Sequence, residues 1–223
     1  MIAHPHRDFI QRYGLLLGLI VFMVLVFIVQ LVVGPDGYRS FMAIPEKIET
    51  SWQALLAGEI SLGKLLPLGT LLTYAFLHGD PEHLLYNMIF LWMFGALLLE
   101  LLGKTWLIVL FVITAIAGAL AHILLNPGDT IPMLGASGAV MGFEGAYLGM
   151  AVRWRLPDPH IWPMARPIPP GHLAAIAVIG IALDFSGIMD HGSTGIAYGA
   201  HIGGFLAGLF LTSLIIPRHH VRV

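Results

Sequence analysis

The chain has 223 residues, of which 57% are hydrophobic and only 11% are charged. Soluble globular proteins carry about a quarter charged residues, so this composition indicates an integral membrane protein of one domain with several helices. The net charge of −2 and the lack of a basic stripe with interleaved aromatic residues argue against a nucleic-acid partner. The absence of cysteine excludes disulfides and thiolate metal sites, and it leaves imidazole ligation by the 11 histidines open.

Six apolar runs are candidates for membrane-spanning helices. About 20 apolar residues cross a bilayer as a helix, and lipid cannot satisfy the edge of an open sheet. The predicted spans are residues 14–33, 82–102, 105–125, 137–152, 171–187 and 196–216. The first run is too long for the apolar core of a signal peptide and has no clear cleavage site, so we keep it as a span.

The basic residues predict how these spans are oriented. With the N-terminus inside, eight of the 11 Lys and Arg residues lie on the cytoplasmic side, as the positive-inside rule requires. The predicted organisation is a short cytoplasmic N-terminus (1–13), a six-helix membrane domain (14–217) and a cytoplasmic tail (218–223). The first outer loop, residues 34–81, has apolar positions at partly helical spacing, which predict short amphipathic helices on the outer membrane surface. The short N-terminus shows no evident transit peptide, which favours a prokaryotic cytoplasmic membrane.

Four polar groups are predicted to lie at one depth in the outer half of the membrane. His83 and Asn87 open the second span, Ser137 opens the fourth, and His201 lies about a turn and a half into the sixth. The fourth span reaches only about 24 Å against a hydrocarbon core of about 30 Å, so Ser137 is expected to be sunk below the outer surface. Irregular backbone at that depth is tolerated only around a protein-lined or wet cavity. A serine and a histidine held there indicate hydrolysis inside the bilayer.

Small residues predict which helices meet. The fourth span carries Gly138 and Gly142, and the sixth carries Gly204 and Gly208. Small residues four apart let two helix backbones approach closely. We therefore expect these glycines to pack the two spans together, with Ser137 facing His201.

Three segments resemble the rhomboid family of intramembrane serine proteases. They are LLTYAFLHG at 71–79 leading into His83-x-x-x-Asn87, GASG at 135–138, and AHIGGFLAG at 200–208. Each motif is weak alone, but the three occur in the family's order at the expected ends of the expected spans. The resemblance covers roughly residues 71–214 and implies an all-α, six-transmembrane-helix rhomboid-like bundle with a large first outer loop.

The resemblance also implies roles for the residues. Ser137 would be the nucleophile and His201 its general base, a dyad without a third acidic member. The Ser137 N–H and the side chains of His83 and Asn87 would hold the oxyanion. Substrates would be single-span transmembrane proteins cut near the outer face of the lipid bilayer, with no metal and no cofactor. The fifth span and the loop at 184–195 would form the lateral gate and cap.

The sequence departs from the family pattern at three places. The aromatic residue that often follows the serine by four positions is Met141 here, which weakens stacking on the histidine. The first loop lacks the common Trp-Arg pair and has Trp52-Gln53 instead, so the sequence does not show how this loop is anchored. Glu144 lies in mid-span on the face of Ser137, two turns deeper, and is expected to be protonated or hydrogen-bonded to a neighbouring span.

Alternative interpretations remain for these residues. Ser137 could be a simple helix cap, His201 a packed core residue, and His83 with Asn87 a structural pair on one helix face. A catalytically inactive rhomboid-like factor that binds membrane proteins would be expected to lack Ser137 or His201, and both are present. A metal transporter or metalloprotease is disfavoured because no His-Glu-x-x-His motif occurs.

Overall fold

The computed structural model of the chain describes residues 5–154 and 197–216, and eight isolated positions between them (156, 169, 171, 172, 175, 179, 180 and 182). Within the two long ranges the chain forms seven α-helices. They are α1 (Pro5–Tyr38), α2 (Pro45–Leu56), α3 (Leu62–Thr73), α4 (Pro81–Leu102), α5 (Lys104–Leu125), α6 (Ser137–Arg153) and α7 (Tyr198–Phe210). In these ranges the only strand-like pairing is an isolated bridge between Ala43 and Met133.

Four helical segments among the described residues are long and apolar enough to cross a membrane. They are Phe9–Phe41, Pro81–Leu102, Lys104–Leu125 and Tyr198–Ile215. They coincide with the predicted first, second, third and sixth spans to within a few residues, except that the first extends further at both ends. The chain is therefore an all-helical membrane protein in its described part.

Two differences from the prediction concern helix ends. Helix α1 already begins at Pro5 and continues to Tyr38, so it includes part of the predicted cytoplasmic segment and the start of the predicted outer loop. Gly34 interrupts it with a φ of 72°, a conformation that glycine adopts without a Cβ clash, and Pro35 resumes the helix. The predicted fourth span is α6, which has 17 residues and ends at Arg153, one residue beyond the predicted end.

Several predicted elements fall on residues that the structure does not describe in full. The predicted fifth span (171–187) and residues 155–170 before it have only the isolated described positions named above. The predicted cap loop (184–195) and the cytoplasmic tail (218–223) lie outside the described residues, as does residue 196.

The predicted first outer loop (34–81) contains two short helices, α2 and α3, and it is anchored to the segment that precedes α6. Ala43 exchanges backbone hydrogen bonds with Met133, at 2.7 and 3.1 Å. The Glu49 carboxylate accepts the Gly128 N–H with both oxygens at 3.2 Å. Trp52 is exposed and contributes little to this attachment. Backbone pairing and one acidic side chain thus anchor a loop that lacks the Trp-Arg pair.

Helix α6 lies at the centre of the bundle. It packs most extensively against α7, and then against α5 and α4. A Cβ at Gly204 would collide with the carbonyl of Gly138, and a Cβ at Gly208 would collide with the carbonyl of Gly142. The four glycines paired in the sequence analysis therefore lie at this contact, where the two backbones touch without intervening side chains.

Candidate active site

The side chains of Ser137 and His201 meet at the N-terminal ends of α6 and α7. Ser137 is the first residue of α6, and its Oγ lies 2.9 Å from Nε2 of His201, in the first turn of α7. Both side chains are partly buried. A hydroxyl and an imidazole nitrogen at this distance have the geometry required of a nucleophile and its general base.

Backbone contacts beside both residues set this distance. A Cβ at Gly138 would lie 3.2 Å from the carbonyl oxygen of Ala200, the neighbour of His201. The Tyr74 hydroxyl closes the same junction, because it donates to the carbonyl of Ala115 on α5 at 2.8 Å and lies 3.0 Å from that Cβ position on Gly138. Small residues therefore hold α5, α6 and α7 together within one turn of the Ser–His pair.

Tyr198 is a neighbour of His201 that the sequence analysis missed. Its ring stands edge-on to the imidazole, with centroids 6.5 Å apart and an interplanar angle of 84°. It supplies an aromatic contact to His201. Met141, which stands where the family often has an aromatic residue, cannot stack on the imidazole. The two residues are three apart on one helix, so the i, i+3 spacing was the signal available in the sequence.

His83 stands at the start of α4 with its ring against the segment that leads to Ser137. Asp80 caps the helix by accepting the backbone N–H of His83 at 2.7 Å. A Cβ at Gly135 would lie 2.7 Å from both Cε1 and Nε2 of His83, and 3.7 Å from Oγ of Ser137. Gly135 also has a φ of 130°, so glycine is required there on two grounds.

Asn87 is buried one turn below His83, but its amide is engaged within its own helix. The side-chain Nδ2 donates to the carbonyl of His83 at 2.8 Å. The structure thus brings the His83 ring against Gly135, two residues before Ser137, and leaves the Asn87 amide bonded within α4. An oxyanion role for Asn87 would use the second N–H of the amide or a different side-chain rotamer.

Glu144 lies in the middle of α6 and is only 6% exposed. Its Oε1 has no hydrogen-bond partner among the described residues. Within the described residues there is also no group of three or more His, Asp or Glu side chains that could hold a metal ion. The expectation that no metal participates stays a prediction.

Comparison with known proteins identifies the family. The sequence model of the Rhomboid domain matches residues 67–218, more than half of the chain. The protein belongs to the rhomboid family.

Rhomboid proteins of several different organisms are similar to this chain. "RHOMBOID-like protein 5" of Arabidopsis thaliana is 30% identical over 149 residues, 66% of this chain and 44% of the relative. "Rhomboid protein 1, mitochondrial" of Saccharomyces cerevisiae is 34% identical over 145 residues, 60% of this chain and 38% of the relative. "Rhomboid protease GlpG" of Yersinia pestis is 24% identical over 201 residues, 90% of this chain and 62% of the relative. The chain thus spans less than half the length of the first two.

Proposed function

We propose that the protein is an intramembrane serine endopeptidase. The distance of 2.9 Å between Ser137 Oγ and His201 Nε2, inside a bundle of apolar helices, carries this proposal. Membership of the rhomboid family supports it, since several similar relatives bear the name rhomboid protease.

The proposed reaction begins with proton transfer from the Ser137 hydroxyl to Nε2 of His201. Oγ then attacks the carbonyl carbon of the scissile peptide bond, and the carbonyl electrons move to its oxygen. When the oxyanion collapses, the C–N bond breaks and His201 returns the proton to the leaving amine. Water next attacks the acyl ester with His201 again as the base, which releases the carboxylic acid product and regenerates Ser137.

The oxyanion is stabilised by donors at the start of α6 and α4. The backbone N–H of Ser137 belongs to the first turn of α6, where amides have no partner within the helix and can bind negative charge. The Nε2 edge of His83 lies beside Gly135, close to Ser137 Oγ. Asn87 joins this set through the second N–H of its amide or through a rotamer in which the amide leaves the His83 carbonyl. Such donors act on charge that develops in the transition state.

The membrane arrangement of the proposed enzyme has six spans with both termini in the cytosol. It adds α6 and the predicted fifth span to the four long apolar segments. Substrates are proteins with one transmembrane helix, cut near the outer face of a prokaryotic cytoplasmic membrane, at a place where the helix unwinds and exposes a carbonyl. The fifth span and the loop at 184–195 admit the substrate.

The test is cleavage of a single-span substrate in liposomes by wild type, Ser137→Ala and His201→Ala. Wild type should cut the substrate, and both variants should fall to background while Ser61→Ala, which alters an exposed serine, keeps full activity. A fluorophosphonate should label wild type and Ser61→Ala but not Ser137→Ala.

Three other outcomes would contradict the proposal. Cleavage that survives Ser137→Ala would remove the nucleophile from this residue. Inhibition by a zinc chelator would indicate a metal-dependent enzyme. No cleavage of several helix-destabilised substrates would favour a catalytically inactive rhomboid-like factor that binds membrane proteins.

A further inference from the structure

Gln30 is a buried amide in the most apolar candidate span. Within the segment Phe9–Phe41, an 18-residue stretch has a mean hydropathy of 3.2, and Gln30 is only 4% exposed. It lies outside residues 67–218, which match the family. A buried amide without hydrogen bonds would destabilise the fold by several kcal/mol, so its partners show what it does.

Both ends of the Gln30 amide bind the backbone of one residue in another segment. Nε2 donates to the carbonyl of His78 at 3.0 Å, and Oε1 accepts the N–H of His78 at 3.0 Å. Two bonds to one residue fix the position and the orientation of the backbone, whereas one bond would leave it free to rotate. This two-bond contact joins α1 to the loop that leads into α4.

Gly79, the residue after His78, contacts the imidazole of His83. The backbone N–H of Gly79 points at Nδ1 of His83 at 3.5 Å. A nitrogen that accepts a hydrogen bond carries no proton, so neutral His83 carries its proton on Nε2. Nε2 lies beside Gly135, two residues before Ser137, so this tautomer makes it a donor on the side where the oxyanion is proposed to form.

The ring of His78 supports the other side of the same imidazole. It is fully buried, and it stands at 70° to the His83 ring with centroids 5.3 Å apart. His83 is thus confined by the ring of His78, the N–H of Gly79 and the backbone at Gly135. Only the first two depend on the loop that Gln30 holds.

We propose that Gln30 is a positioning residue that holds the His78–Gly79 backbone so that His83 presents Nε2–H to the oxyanion. This inference rests on the proposed function, because it assigns a purpose to the orientation of His83. Gln30 itself does not touch the reacting atoms.

The first test replaces Gln30 by methionine, which has similar length and no amide. In Gln30→Met, kcat per fluorophosphonate-titrated active site should fall about tenfold to a hundredfold, with little change in KM. The control is Gln53→Met, which makes the same substitution at an exposed site on α2 and should leave kcat unchanged. A kcat in Gln30→Met equal to that of wild type would overturn the proposal.

A double-mutant cycle separates positioning from general stability. If Gln30 acts through His83, Gln30→Met should lower kcat in wild type and have no further effect in His83→Ala. Equal losses of kcat in both backgrounds would mean that Gln30 only stabilises the fold.

Gln30→Glu gives a signature that depends on pH. A protonated carboxyl can donate to the His78 carbonyl and accept its N–H, whereas a carboxylate can only accept. Activity relative to wild type should therefore be highest at low pH and fall as the new carboxyl ionises. The ionisable groups nearest to it along the loop and α4 are His78, Asp80 and His83, all shared with wild type, so the ratio cancels their titration. A ratio of activities that does not change with pH would contradict the two-bond contact. If Gln30→Met does not fold, the activity of Gln30→Glu at low and at high pH tests the proposal in its place.

If wild type cleaves no substrate, hydrogen exchange of the backbone amides still tests the contact between Gln30 and His78. The amides of His78 and Gly79 should exchange slowly in wild type and Gln53→Met, and much faster in Gln30→Met. Fast exchange only in Gln30→Met, in a protein without activity, would refute the proposed function and retain the two-bond contact. Equal exchange in all three would refute the contact itself.

Discussion

The two sides of the candidate site are held by different kinds of contact. On the α6–α7 side, the carbonyls of Gly138 and Gly142 occupy the space that a Cβ of Gly204 or Gly208 would need. On the α1 side, a Cβ at Gly18 would meet nothing within 4 Å. Near the site, α1 is attached there through side chains, by the hydrogen bonds of Gln30 to His78 and by the edge contact between the rings of Phe22 and Phe76.

This difference matches the tasks that we propose for the two sides. Nucleophile and base must stay within hydrogen-bond distance through the whole reaction, and direct backbone contact leaves little room for change. The oxyanion donor needs only the correct orientation, and a few hydrogen bonds are enough to fix it. The rigid side should therefore tolerate almost no added volume, and the other side should respond to changes in hydrogen bonding and protonation.

The largest expected effect comes from adding one methyl group to the rigid side. Gly208→Ala would place its Cβ against the Gly142 carbonyl, which cannot move away without separating α6 from α7. We expect a loss of about 3 kcal/mol or more in the free energy of unfolding, together with the loss of cleavage. Denaturant unfolding of the protein in detergent micelles measures the first.

The matched control adds the same methyl group to α1. Gly18→Ala enters open space in a helix and should be neutral or increase stability by up to about 1 kcal/mol. Equal stabilities of Gly208→Ala and Gly18→Ala would show that backbone contact does not distinguish the two sides.

The rigid side was also the more predictable from the sequence. Ser137, His201 and their glycines form local patterns, and helix geometry turns the spacing of small residues into a contact between backbones. Four of the six predicted spans are among the described segments for a similar reason, because length and hydropathy are local properties.

The α1 side could not be predicted in the same way. Gln30 binds the backbone N–H and C=O of His78, and every residue except proline has both groups, so no sequence pattern marks the partner. The hydrogen bond from Asn87 to the His83 carbonyl was missed because both this bond and an oxyanion role are compatible with the same i, i+4 spacing. Side chains that bind backbone must be located in the structure.

The second prediction concerns protonation on the α1 side. Burial, and to a smaller degree the nearby His83, lower the pKa of His78 to about 4, and Asp80 opposes the shift. An unfolded histidine binds its proton near pH 6.5, so between these values the unfolded state holds more protons than the folded one. Stability should therefore fall as pH drops from about 6.5 to 4, by at most about 3 kcal/mol from this residue.

His78→Leu isolates this contribution because it removes the titrating ring and keeps the backbone that Gln30 binds. The unfolding free energy of wild type should drop more between pH 7.5 and pH 4 than that of His78→Leu. Parallel pH profiles would mean that His78 is not the group whose protonation weakens this side.

The smallest expected effect tests an exception within the rigid side. Glu144 is a carboxyl in the middle of α6, and no described residue binds its Oε1. A buried polar atom without a partner destabilises the fold, so Glu144→Met should raise the free energy of unfolding by about 1 kcal/mol, and Glu144→Gln should raise it less. If Glu144→Met instead lowers stability, the carboxyl has a partner beyond the described residues, and the apolar packing of α6 is completed there by a polar contact. The centre of the bundle would then combine both kinds of contact, because Gly145, next to Glu144, packs directly against the Phe205 carbonyl of α7.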